Sequence, residues 1–375
     1  MKFELVATCL FGLEHLLGEE IEALGYERTS TIDGRVTFFG DPEAVALANI
    51  RLRFAERVFI KIGGFRAETF DALFEGVRAL PWEEYIGKND AFPVKGHAIK
   101  SALFSIPDCQ SIVKKAIATR LSSVYGLVRF PEDGAKKQVE FFLLNDEATL
   151  MIDTTGVPLH KRGYRKDANE APIRETLAAA IVRLSRPREE VMLWDPMCGS
   201  GTIAIEAAMM MRNIAPGIRR GFAAEEFSFI DRAIWKAARE EAREEEVRTA
   251  FRVQASDLDP ASVALTERNA ALAGVGDLVR AFPADATRIR KPEGVRGTIV
   301  TNPPYGERLG SVAEAEKLYR ALGVTFRAMA PWQVYVITSH EGFERLYGRR
   351  ADKIRKLYNG MIPCYLYQFF KNERK

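Results

Sequence analysis

The stretch that decides the fold reads Val191-Met-Leu-Trp-Asp195-Pro-Met-Cys-Gly199-Ser-Gly201-Thr202. Its first four residues are apolar and make a short buried strand. An acid closes that strand, and a glycine loop then leads into an apolar helix over residues 203–211. Gly199 and Gly201 let the backbone turn sharply and approach a ligand closely. Thr202 stands where the helix opens, and the first N–H groups of a helix have no partner inside it. In parallel α/β sheets, ligands bind outside the carboxyl ends of the strands, which is where Asp195 falls. The spacing Gly199-x-Gly201-x-x-Ala204 also fits a dinucleotide fingerprint, so the loop alone does not name its ligand.

Working outward, further buried strands are expected at 251–255, 278–282, 298–301 and 333–338, with helices over 260–273 and 312–330. Strands alternating with helices predict an α/β fold with a doubly wound parallel sheet. Two strand-like runs at 355–358 and 363–370, joined by Asn359-Gly360, end the chain as a hairpin, so the last strand should run reversed. A nicotinamide-binding unit places its acid about 20 residues after the glycines. Here Asp257 and Asp259 come more than 50 residues later, after an insertion at 213–248, which disfavours that reading. A carboxylate at Asp257 suits ribose hydroxyls, and Asp285 at the next strand end suits an adenine amino group. Asp259, just before Pro260, reads as a helix cap.

The most specific motif is Asn302-Pro303-Pro304-Tyr305, at the end of the strand at 298–301. An amino nitrogen attached to a nucleobase is a poor nucleophile because its lone pair is delocalised into the ring. The Asn302 side-chain carbonyl and the Pro303 backbone carbonyl are placed to accept both of its hydrogens and favour a pyramidal nitrogen. The two prolines stiffen the loop, and Tyr305 offers a ring for the base to stack on.

Ahead of residue 150, strands at 3–9, 35–39, 57–62, 91–99, 138–145 and 147–152 alternate with helices at 12–24, 69–80 and 110–125, an α+β pattern. A linker at 154–169 follows and carries His160, Lys161, Arg162, Arg165 and Lys166. The 375 residues carry a net charge of only +3, so any nucleic-acid partner must be held by a local patch. The four cysteines are scattered, which argues against a zinc module or a disulfide framework and suits a reducing cytoplasm. No apolar run is long enough for a membrane span. No His–Asp–Ser constellation supports hydrolysis.

DPMCGSGT, SDLDP, the Asp285 strand end and NPPYGERL, in this order, resemble a class I S-adenosylmethionine-dependent methyltransferase. The closer resemblance, over essentially the whole chain, is to bacterial THUMP-domain RNA guanine-N2 methyltransferases. It rests also on residues 7–14, 106–117, 159–165 and 171–181. The resemblance implies a ferredoxin-like domain at 1–50, a THUMP RNA-binding domain at 51–155, a basic linker at 156–170 and a methyltransferase domain at 171–375. It implies that Asp195, Gly199 and Gly201, with Thr202 beside them, hold the methionine part of S-adenosylmethionine. Asp257 would take the ribose and Asp285 the adenine edge, while Thr176 would touch the pocket from the helix at 171–181. Asn302, Pro303 and Tyr305 would clamp the target amine, with Asn302 also close to the cofactor and no metal involved. The substrate expected is RNA, ribosomal before transfer RNA.

For RNA binding, residues 95–137 hold eight Lys or Arg against three acids, interleaved with Phe104, Tyr125 and Phe130. Such a surface can contact phosphates. Lys114 and Lys115 are its candidates, and the linker adds Lys161, Arg162, Arg165 and Lys166. A DNA adenine-N6 methyltransferase, a nicotinamide oxidoreductase and a non-catalytic RNA-binding factor remain as alternatives.

Overall fold

A computed structural model describes residues 2–165, 173–304 and 312–371. The amino-terminal part runs β1 (Phe3–Cys9), α1 (Glu14–Ala23), β2 (Arg28–Ile32), β3 (Arg35–Gly40), α2 (Pro42–Arg51), β4 (Ala55–Arg66), α3 (Phe70–Ala79), β5 (Val94–Ile99), α4 (Ile106–Tyr125), β6 (Val139–Leu144) and β7 (Glu147–Asp153). The carboxyl-terminal part runs α5 (Glu175–Ser185), β8 (Met192–Asp195), α6 (Thr202–Met211), α7 (Arg232–Glu244), β9 (Val253–Asp257), α8 (Pro260–Ala273), β10 (Val279–Pro283), β11 (Gly297–Thr301), α9 (Val312–Arg327), β12 (Gln333–Thr338), α10 (Phe343–Tyr347), β13 (Lys353–Asn359) and β14 (Ile362–Phe369).

The amino-terminal strands form one sheet of order β2-β3-β1-β4-β7-β6-β5. Its hinge is β4, whose twelve residues exceed the strand expected at 57–62. The first half of β4 pairs with β1, from Ala55 against Cys9 to Lys61 against Glu4. Its second half continues along β7 to Arg66 against Glu147, with a register shift between Lys61 and Gly63. Two elements escape the periodicity of the sequence. β2 reads Arg-Thr-Ser-Thr-Ile and is mostly exposed, so it has no apolar alternation. α2 is almost wholly buried and apolar and therefore shows no stripe. Its start is nevertheless built from local signals: Asp41 accepts from the Ala44 N–H, and Pro42 occupies the first turn.

The second sheet has the order β10-β9-β8-β11-β12-β14-β13. Its first five strands are parallel, and β14 runs antiparallel between β12 and β13. This is the doubly wound sheet with a reversed last strand. Alternation along the strands supplies two faces. Leu193, Val300, Tyr335, Ile337 and Leu366 join a core with α5 and α6 that continues into the amino-terminal sheet. Trp194, Ile299, Val334, Val336 and Tyr367 pack the other way, against α9 and α10.

The insertion at 213–248 is the seam between the two parts. The Gly217 N–H donates to Ile50 O at 2.8 Å, and Ala224 N–H to Thr154 O at 3.0 Å. Arg51 of α2 pairs with Glu241 and Glu245 at the end of α7.

Candidate active site

The glycine loop lies at the carboxyl end of β8, anchored from several sides. Gly199 N–H donates to Asp257 Oδ2 at 2.9 Å, and Thr266 Oγ1 of α8 donates to Gly199 O at 3.0 Å. Asn269, one turn further along α8, donates to Ser200 O at 2.9 Å. Gly199 and Gly201 have φ of 53° and 81°, a region that disfavours side chains. A Cβ on Gly201 would also stand 2.7 Å from Thr266 Cγ2. Gly201→Ala is therefore expected to lose about 1–3 kcal/mol of stability and to weaken cofactor binding. Urea unfolding and cofactor titration of the same preparation check both.

Asp195 is buried. It accepts from Thr301 Oγ1 at 2.8 Å, which ties the glycine loop to the end of β11, where Asn302 begins. Burial pushes the Asp195 carboxyl up to about 7, against the hydrogen bonds from Thr301 and the Met197 N–H, and the Asp257 charge adds to the rise. Folding therefore favours the protonated form: that contribution is complete below the ordinary carboxyl range and fades as pH rises toward 7. A cationic ligand group reverses the preference. Cofactor affinity is thus expected to climb with pH up to about 7, by at most tenfold per unit, and to level off above it. Asp195→Asn should flatten the profile, and calorimetric titration between pH 5.5 and 8.5 reads it.

Asp195, Gly199, Ser200 and Asp257 line one crevice of about 510 Å³, together with Thr202, Asp285, Asn302 and Pro304, whereas Gly201 and Pro303 stand behind its lining. That size suits a ligand of cofactor dimensions. Asp257 and Asp285 face the crevice while bound to their own turns, Asp257 to the Asp259 N–H and Asp285 to the Thr287 N–H and hydroxyl. Those Thr287 hydrogen bonds hold the Asp285 carboxyl below its usual range. Asp259 caps α8 through Ala261 and Ser262. Pro304 O accepts from Tyr319 Oη at 3.1 Å, so α9 steadies the proline loop. The Asp257 and Asp285 carboxylates, the glycine-loop backbone and an apolar wall fit S-adenosylmethionine. Leu258, 75% exposed, adds apolar surface to this crevice.

Thr266, Asn269, Thr301, Tyr319 and Leu258 were not expected as site residues. A signal existed for two: Thr266 and Asn269 are polar residues three apart on the apolar side of a predicted helix. Thr176 does not line the crevice, because its hydroxyl donates to Glu56 Oε1 at 2.6 Å. Tyr305 lies outside the described residues, as does Lys166.

The expected RNA contacts separate into two groups. Arg162 is buried, donating to Leu159 O and Arg53 O beside Glu206. Arg165 pairs with Glu175 at 3.0 Å and donates to Thr202 Oγ1 at 3.0 Å. Both linker cations are thus spent inside the protein and do not face RNA. Lys161 and Lys115 are exposed, whereas Lys114 is committed to Glu132 and Phe92 O. Phe104 is 82% exposed, while Tyr125 turns inward to Ile86 O and Phe130 packs on Phe92.

The chain is similar to known proteins along its whole length. Residues 162–368 match an RMKL-like methyltransferase domain, residues 4–59 an RlmL ferredoxin-like domain, and residues 67–153 a THUMP domain. The chain is 44% identical over 379 residues to a protein named putative RNA methyltransferase YpsC, from Bacillus subtilis, covering 100% of this chain and 97% of that one. It is 35% identical to the ribosomal RNA large subunit methyltransferase K/L of Psychromonas ingrahamii, covering 95% of this chain but only 48% of that protein. A crystal structure of a putative methyltransferase complexed with SAH superposes with a TM-score of 0.93 at 41% identity, covering 100% of this chain and 99% of that one. A structure from Listeria monocytogenes, titled a predicted N6-adenine-specific DNA methylase, gives 0.91 at 44% identity, with 98% and 96% covered.

Proposed function

The chain belongs to the family of RMKL-like methyltransferases, joined to an RlmL-type ferredoxin-like domain and a THUMP domain, and from that premise we propose its reaction. It transfers a methyl group from S-adenosylmethionine to the exocyclic N2 amine of a guanosine in RNA, with large-subunit ribosomal RNA as the preferred substrate. One observation carries the chemistry: Asn302 and the proline loop share a crevice with the Asp195 glycine loop, tied to it through Thr301. The ribosomal preference rests on relatives named for that substrate, about half of whose length this chain spans.

The cofactor, when bound, supplies a methyl group activated by its sulfonium. The Asp195 carboxylate and the glycine-loop backbone hold its methionine end, with Asp257 and Asp285 holding the nucleoside. The target base leaves its stack and enters unpaired. Asn302 Oδ1 and Pro303 O accept the two amine hydrogens and turn the nitrogen lone pair toward the methyl group. A sulfonium donor would need no strong base beside Asn302 and Pro303, and the amine proton would pass to water. Positioning provides the main acceleration. The exposed Lys115, Lys161 and Phe104 are the outer contacts through which RNA is held.

The test is labelled methyl transfer into total RNA from a strain lacking this gene, followed by nucleoside mass spectrometry. N2-methylguanosine in the large-subunit fraction is the expected product. Label in N6-methyladenosine, or only in DNA, would overturn the base or substrate assignment.

A further inference from the structure

A second cavity, of about 580 Å³, opens at the amino ends of the parallel strands, between α1, the end of α5 and strands β11 to β14. A five-residue strand such as β11 spans about 17 Å, so a ligand here would not touch the methyl-transfer crevice. Its lining includes Arg183, Arg186, Arg188, Arg296, Lys353 and Arg355, with Glu19 as its one carboxylate among the described residues. Glu19 is shared between His15 at 3.2 Å and Arg183 at 3.8 Å, and Arg296 has only a 3.9 Å contact with Glu190. Such an excess of positive charge in a concave site concentrates anions.

Two buried donors sharpen this. Gln368, 4% exposed, is held by β14 between Tyr335 of β12 and Lys353 of β13. Its Nε2 has no hydrogen-bond partner, and neither has the buried Nε of Arg355. Buried N–H groups are almost always satisfied, so a pair of them in one cavity calls for an acceptor. Arg186 adds a third observation. It caps α5 at φ 53° and ψ 62°, a conformation in which glycine is usual. An arginine kept there retains its charge beside the cavity at the expense of backbone comfort.

We propose that this cavity binds a phosphate group, with Gln368 Nε2 and Arg355 Nε donating to its oxygens and Arg183 and Arg186 balancing its charge. A free nucleotide and the backbone of a bound RNA present the same chemistry, and two arms of one experiment separate them. The full chain is titrated with AMP and with inorganic pyrophosphate, and separately with a poly(U) oligomer over a range of salt. Wild type is compared with Gln368→Leu and Arg186→Gly. Both variants should melt at or above wild type, because one removes a buried amide nitrogen that has no partner and the other relaxes a left-handed residue.

If a free phosphate compound is the ligand, it binds wild type and both variants weaken it about tenfold. If RNA is the ligand, Arg186→Gly lowers the slope of log K against log salt by about 0.7, the share of one single-strand phosphate. Cofactor affinity should stay unchanged in both variants. Anion affinity and salt slope that are the same in wild type and both folded variants would overturn the site.

Discussion

Asn302→Ala should lower kcat for methyl transfer about 10²–10³-fold, the effect of removing one preorganised polar group from a transition state. The side chain stands at the end of β11, partly exposed, in the crevice that Asp195 and the glycine loop share. Without Oδ1, one amine hydrogen loses its acceptor, and the lone pair falls back into conjugation with the ring. The cofactor's main contacts lie on other residues, so its affinity should change by less than about threefold. Single-turnover methylation measured beside cofactor titration separates the two. A variant that methylates at the wild-type rate would remove Asn302 from the mechanism. Asn302→Asp is the informative companion, because it keeps an acceptor while adding a charge.

Glu206→Ala is the second large effect, here on stability, and about 3–5 kcal/mol is expected. Glu206 is completely buried on α6. It lies 3.5 Å from Arg162 of the linker and 3.8 Å from Arg53 of the amino-terminal part, and accepts from Tyr164 Oη at 3.0 Å. Removing the carboxylate leaves two buried guanidinium groups facing each other. Their backbone acceptors, Ile214 O for Arg53 and Leu159 O for Arg162, stay in place and soften the loss. Folded proteins have only about 5–15 kcal/mol in hand, so the variant should sit near its unfolding threshold under mild denaturant. Chemical unfolding gives the number. Because α6 begins at the glycine loop, cofactor affinity should drop in parallel, the opposite of the pattern for Asn302→Ala.

The readable parts of the site were those made by neighbours in sequence. The run 191–202 places a strand, a sharp turn and a helix start within twelve residues, so its local chemistry implies its geometry. Asn302 and the two prolines are legible for the same reason. Arg162 and Arg165 were misjudged because their partners are far away in the chain: a basic linker looks solvent-facing until Glu206 and Glu175 are brought against it. Thr176 was lost in the same way to Glu56, 120 residues earlier. In the fold, β2 was invisible because an exposed strand has no apolar period to read, and α2 because a buried helix has no polar face to contrast.

The shared strand β4 sets what can be exchanged between relatives. Its backbone serves β1 over residues 55–61 and β7 over residues 59–66, so three residues hold both neighbours. A chimera that swaps only the segment matching the THUMP domain, 67–153, would have to re-knit a donor's β7 onto a foreign β4 across the register shift at Lys61. A swap that includes residues from β1 through β7 severs no ladder. The ferredoxin-like and THUMP segments should therefore pass between enzymes as one cassette, with crossovers penalised anywhere inside the sheet and the seam partners carried along, Glu206 for Arg53 and Arg162 and Glu241 and Glu245 for Arg51.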